Sequence, residues 1–434
     1  MESFFLNGPS SLILDDLKHV WHPFTQAKTA RFPIPITKGE GVYLYTEQDT
    51  RYLDGISSWW VNLHGHAHPY IAEKIKTQLD RLEHVIFADF THPPAVELAK
   101  KLVQILPGDF SKIFYTDNGS TSVEAALKIA LQYNYQQVGE KKSKIVCFRG
   151  GYHGDTFGAM SAAGKNALNQ PFWKHLFEVE MIDPPWENET GRSLSQLMQI
   201  LEKGETAAFI FEPLVLGSGG MRIYSAQGLD LLLEACRHFN VITIADEVMT
   251  GFGRTGPLFA CEHLLKRVDI ICLSKGLTGG FLPLGVTACT QKIYDAFLSD
   301  QLSKAFLHGH SYTANPLACT AALASLDLLL DESCTLQRSR IAKSHQLFVE
   351  RYKTHPRLKR CESLGTLLVL EYHTVEGSSY FQPMRDSLYH FFLDHQILLR
   401  PLGNVLYILP PYCIQYAELE NIYEHILLNL EENS

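Results

Sequence analysis

The chain of 434 residues contains no apolar run as long as a membrane span, which needs about 20 consecutive apolar residues. A transmembrane protein is therefore not expected. The opening residues, Met1 to Ser10, lack a basic start followed by an apolar stretch, so no secretory signal is expected either. Basic tracts are missing too, and a net charge of −9 argues against a general nucleic-acid binder. The nine cysteines form no Cys-x-x-Cys pair and are scattered through apolar runs, which predicts free thiols in a reducing cytoplasm. His64, His66 and His68 come closest to a metal motif. Alternate histidines ending at Pro69 bring no further ligand set, so no metal is expected. Internal repeats and low-complexity stretches are also lacking.

What remains is an ordinary globular composition, 46% hydrophobic and 20% charged, long enough for two or three domains. A short helix near 10–19 and a hairpin around Gln48 and Asp49 make an N-terminal segment, 1–65, assigned to a small domain. From 66 to 330, strand-like runs at 113–116, 144–148, 208–211, 241–244, 270–273 and 286–289 alternate with helical patterns. That rhythm predicts an α/β domain whose mostly parallel sheet is sandwiched by helices. The remainder, 331–434, reads as α+β, with helices near 337–353, 380–394 and 417–432 and short strands at 366–371 and 405–409.

Two strand ends carry the chemistry. One apolar run closes on Lys275, followed by Gly276, and another closes on Asp246. A lone lysine after a strand is usually a solvated strand end. Paired with a strand-end aspartate it fits a pyridoxal phosphate site, where the lysine makes the Schiff base and the carboxylate keeps the pyridine nitrogen protonated. Gly251 to Gly256 is a literal G-x-G-x-x-G, but residues 246–250 separate it from the strand and Pro257 follows it, so a dinucleotide site is not expected. Asn118, Gly119 and Ser120 precede a strong helix and read either as a phosphate cradle or as a plain N-cap. Tyr152 lies in a glycine-rich loop where it can stack on a ring, and His153 beside it reads as structural. Arg400 is either a carboxylate clamp or surface decoration.

In this order, Asn118-Gly119-Ser120, the loop 150–156, Phe211-Glu212-Pro213, Asp246-Glu247-Val248, Gly251 to Gly256 and Ser274 to Gly280 resemble the class III aminotransferases of fold-type I. The segments 21–25, 57–66, 91–95 and 400–404 resemble its biotin-pathway branch. The resemblance implies pyridoxal 5′-phosphate as cofactor, with Lys275, Asp246 and Tyr152 as catalytic groups. Gly119, Ser120, Tyr152, Val248 and Ser311 would complete the cofactor site, Ser311 reaching over from the partner of a homodimer. Trp59, Trp60, Tyr152, Arg254, Gly309 and Arg400 would face the substrates. It further implies amination of 8-amino-7-oxononanoate to 7,8-diaminononanoate. Phe24 and the loop Gly309-His310-Ser311-Tyr312 depart from the pattern of adenosylmethionine users, which leaves S-adenosyl-L-methionine or lysine as donor. Another ω-amino acid transaminase of the class would lack the paired tryptophans, and a racemase of the class would share Lys275 and Asp246.

Overall fold

The computed structural model describes residues 9–375 and 377–432. The ends of the two expected terminal segments, 1–8 and 433–434, lie outside the described residues.

A seven-stranded sheet organises the chain. Edge to edge its strands are Phe110–Thr116, Gly285–Thr290, Ile270–Leu273, Ile242–Asp246, Thr206–Phe211, Lys144–Phe148 and Glu180–Ile182. The last five in that order pair parallel, whereas Gly285–Thr290 runs antiparallel to both neighbours. The reason is the connection. Only a 3₁₀ turn, Lys275–Thr278, and a short loop separate Ile270–Leu273 from Gly285–Thr290, too little chain for a parallel crossover.

The strands are apolar on both faces because helices cover both. Successive residues point to opposite faces: Val146, Phe148, Phe209, Phe211 and Leu273 fill one core, while Ile145, Cys147, Ala208, Ile210 and Cys272 fill the other. The expected strands are all present, with ends shifted by a few residues. Glu180–Ile182 was not anticipated; three residues opening on a glutamate carry too little pattern to be read.

Both ends of the chain meet in a second sheet. Ile36–Glu40, Tyr43–Thr46 and Arg51–Asp54 form an antiparallel meander, and Ile397–Leu398 adds in parallel to Arg51–Asp54. A third sheet of Leu358–Leu364, Leu367–Tyr372 and Val405–Ile408 packs beside the helix Glu332–Tyr352. Its first strand, in which the adjacent pairs Lys359-Arg360 and Glu362-Ser363 break up the apolar residues, was also not anticipated.

Candidate active site

A cavity of about 810 Å³ opens where the Asp246 and Lys275 strands end. In parallel sheets this carboxyl edge is where ligands bind, since the loops there can diverge. Asp246 pairs in register with Cys272, so the chain turns out of the sheet just beyond both and delivers Lys275 beside Asp246. Lys275 adopts φ +45, a left-handed conformation uncommon for a side chain of this size. Its Nζ lies 4.4 Å from the centre of the Trp60 ring. Burial lowers its pKa to about 8, against the opposing pull of Asp246 and Glu212. A larger share of the amine is thereby uncharged near neutrality and able to act as nucleophile or base.

Asp246 is buried. Its Oδ2 meets His153 Nδ1 at 2.7 Å and its Oδ1 accepts the Val248 N–H at 3.1 Å. His153, expected to be structural, sits in the cavity wall as the partner of Asp246, and its Nε2 is buried with no partner. Glu212 is a third buried acid. It accepts the N–H groups of Tyr152 and Gly217, each at 2.9 Å, and burial raises its pKa to about 7. No role was predicted for Glu212, although an acid at the end of the all-buried strand Thr206–Phe211 is the same signal as Asp246.

Gly119 and Ser120 open the helix Gly119–Val138, where Asn118 and Thr121 form a capping box. The cap and the phosphate-cradle readings are thus compatible: the cap uses Asn118 and leaves the N–H groups of 119 and 120 outside the helix ladder. A Cβ at Gly119 would stand 2.8 Å from Val248 Cγ1. Gly154, at φ +127, passes so close to Ser120 that a Cβ would fall 2.0 Å from its Oγ. That approach, with Asp155 N–H donating to Ser120 Oγ at 3.1 Å, clips the Tyr152 loop onto the helix start.

Phe24, Trp59, Trp60, Tyr380, Tyr407 and Arg400 form the opposite wall. The Phe24 and Trp59 rings meet edge-on at 5.4 Å, and the Arg400 guanidinium lies 4.8 Å from the Trp59 ring centre. Ser57, Ser58, Trp59 and Trp60 have φ of 53, 45, 72 and 74, a full left-handed turn without glycine. Each such residue costs roughly 1–2 kcal/mol.

Other residues singled out from the sequence do not line this cavity. Arg254 is buried outside the cavity lining, its guanidinium donating to the carbonyls of Pro410 at 2.9 Å and Trp60 at 3.3 Å. Its loop opens no helix, because Gly253 and Gly256 take φ +97 and +111 and turn the chain back. Gly309 and Ser311 are exposed and do not line the cavity of their own chain. His64 and His66 are engaged with Ser325 and Asp54.

The Aminotransferase class-III family profile matches residues 24–430. The chain belongs to the class-III aminotransferases. It is 46% identical over 422 residues to a Synechococcus elongatus protein named adenosylmethionine-8-amino-7-oxononanoate aminotransferase, covering 95% of this chain and 99% of that one. A Helicobacter pylori protein of the same name is 37% identical, covering 98% and 99%. The crystal structure of the Methanocaldococcus jannaschii protein of that name superposes with a TM-score of 0.91 at 36% identity, over 98% of this chain and 99% of that one. An ω-transaminase of Pseudomonas jessenii, solved in complex with PMP, gives 0.92 at 25% identity over 98% of both chains.

As a member of this class the chain is a pyridoxal phosphate-dependent transaminase of the fold-type I architecture. Its residues fit that cofactor on their own evidence. A glycine-lined helix start suits the phosphate, a buried carboxylate with a histidine partner suits a protonated ring nitrogen, and a partly desolvated amine lines the same cavity.

Proposed function

We propose that this chain aminates 8-amino-7-oxononanoate to 7,8-diaminononanoate, the biotin-pathway step, with S-adenosyl-L-methionine as donor. The relatives' names support the reading, and one observation in this molecule carries it: Arg400. Its guanidinium lies on Trp59 in the same cavity as Lys275 and, among the described residues, has no ion-pair partner. An unpaired arginine at a cavity wall is a natural bidentate seat for a carboxylate. An acceptor with a carboxylate at one end and a ketone at the other would span from Arg400 to Lys275.

Pyridoxal phosphate, when bound, supplies an electron sink for the carbanion formed as a substrate α-proton leaves. Gly119 and Ser120 would hold its phosphate, Asp246 its ring nitrogen, and Tyr152 and Val248 its two faces. Lys275, as the free amine, takes the proton from the donor carbon and returns it to the acceptor carbon in the second half. His153 keeps the Asp246 carboxylate oriented. Phe24, Trp59 and Trp60 make that wall apolar and exclude water from the reacting carbon. Ser311 and Gly309 would serve the partner's site in a cytoplasmic homodimer, and the division at 65 and 330 would separate the small domain's two segments from the large domain.

Lysine is the second donor reading, favoured by Phe24, whose ring lines the cavity without a hydroxyl. A half-reaction decides. Cofactor-loaded protein is mixed with adenosylmethionine or with lysine, without acceptor, and the visible absorbance is followed. Discharge by adenosylmethionine alone is expected; discharge by lysine alone would replace the donor. Failure of the discharged protein to aminate 8-amino-7-oxononanoate would overturn the assignment.

A further inference from the structure

The left-handed turn Ser57 to Trp60 stands out from the rest of the backbone. Every other non-glycine residue with positive φ among the described residues occurs singly; here four follow one another. The turn is properly hydrogen-bonded, with Trp60 N–H donating to the Ile56 carbonyl at 2.9 Å and Val61 N–H to Ser57 at 3.0 Å. Its hand matters because a right-handed turn over the same residues would reverse the rotation from Trp59 to Trp60. As built, both indoles face the cavity, Trp59 against Phe24 and Arg400, and Trp60 against Lys275, with its Nε1 donating to Tyr407 Oη at 3.0 Å.

Something must hold a conformation the chain disfavours, and a buried polar knot beneath the turn does so. Asp54 is fully buried. Its Oδ1 accepts the Ile56 N–H at 3.1 Å; its Oδ2 accepts the Ser58 hydroxyl at 2.8 Å and meets His66 Nε2 at 2.9 Å. Asn62 Oδ1 accepts the Gly65 N–H at 2.8 Å, which turns the Asn62 amide so that Nδ2 donates to His66 Nδ1 at 3.1 Å. His66 therefore carries its proton on Nε2 and donates it to Asp54. Ser57 Oγ anchors the turn's start to the Leu409 carbonyl at 2.8 Å.

We propose that Asp54, His66 and Ser58 are positioning residues: they lock the left-handed turn, and through it set Trp59 and Trp60 against the acceptor and Lys275. Its acceptor half rests on the function proposed above; its conformational half does not.

Three variants test it in the full-length protein: His66→Leu, His66→Gln and Ser58→Gly. Near-UV circular dichroism of the cofactor-free protein reads the tryptophan environment, and steady-state kinetics of the loaded protein reads KM and kcat. His66→Leu is expected to weaken the tryptophan bands and raise KM for the keto acceptor about tenfold, with kcat within about twofold. His66→Gln, whose amide can still donate to Asp54, restores both. Ser58→Gly removes one strained residue and one tether, so Tm holds or rises while KM rises about fivefold. A folded His66→Leu with parental bands and KM would overturn the proposal, as would His66→Gln behaving like His66→Leu. Should His66→Leu not fold, Ser58→Gly decides, and a parental KM in that variant overturns it. If the parent does not turn over the ketone, the acceptor reading falls, and the circular dichroism of the three variants still settles the turn.

Discussion

The two walls of the cavity are built in opposite ways. The wall proposed for the cofactor is made of the ends of regular elements: Asp246 and Lys275 leave adjacent strands, and Gly119 and Ser120 begin a long capped helix. The wall proposed for the substrates draws mainly on irregular backbone from the two small-domain segments, the turn 57–60 and the stretch around Arg400. A rigid sheet fixes the first set of side chains almost for free. The second set has to be tied down by side-chain hydrogen bonds, such as those from Asp54 and Ser57. Substitutions on the first wall should therefore remove chemistry or stability, and substitutions on the second should alter which molecules bind.

The largest effect is expected at Lys275. Lys275→Ala should lower turnover by about 10⁴-fold or more, because in the proposed mechanism one residue is both nucleophile and proton carrier. The visible absorbance of the cofactor-loaded protein should vanish with it, and unchanged absorbance would break the assignment of this wall. Next comes His153→Leu. Asp246 would keep only the Val248 N–H, and an acid buried without its partner should cost about 3 kcal/mol in urea unfolding of the cofactor-free protein. A parental midpoint would mean that His153 does not hold Asp246.

The same contrast explains what could be read from residues alone. The Lys275 and Asp246 ends were legible because each closes an apolar run, and the continuous apolar runs across 144–148 and 206–211 announce strands buried on both faces. The reversed direction of Gly285–Thr290 was not, since a strand's direction leaves no mark in its own composition. Arg254 is expected at the substrates from the family resemblance alone; in the fold its guanidinium donates to backbone carbonyls at the junction of three segments, which no sequence pattern announces. The left-handed turn is the least legible feature. Two serines and two tryptophans carry no glycine or asparagine to announce positive φ, and the groups that enforce it lie from four positions away at Asp54 to the far end of the chain at Leu409.

Arg400→Ala probes the other wall. Charge-assisted hydrogen bonds to a carboxylate contribute roughly 1.5–3 kcal/mol, so KM for the keto acceptor should rise about 10- to 100-fold. The donor half-reaction should change by less than about threefold. Equal losses in both halves would erase the distinction between the walls at this position.

The smallest expected effect concerns Glu212, which joins the Tyr152 loop to the cofactor wall. Burial lowers the Lys275 pKa to about 8, and the negative charges of Asp246 and Glu212 keep it from falling further. Glu212→Gln removes one of those charges and keeps an oxygen for the Tyr152 N–H. The lysine should then give up its proton at lower pH. Capture of added pyridoxal phosphate by the cofactor-free protein requires the uncharged amine, so its rate should rise through about pH 8 in the parent and at lower pH in Glu212→Gln. Stability gives an independent sign. The folded-state pKa of Glu212 is about 7, above its usual 4.5, so between these values the folded protein binds more protons than the unfolded chain. The parent should therefore lose stability as pH rises from about 4.5 to 7, and the glutamine variant should lose less. An unshifted capture profile together with an unchanged slope would mean that Glu212 is electrostatically silent, leaving Asp246 as the one acid that sets the charge of Lys275.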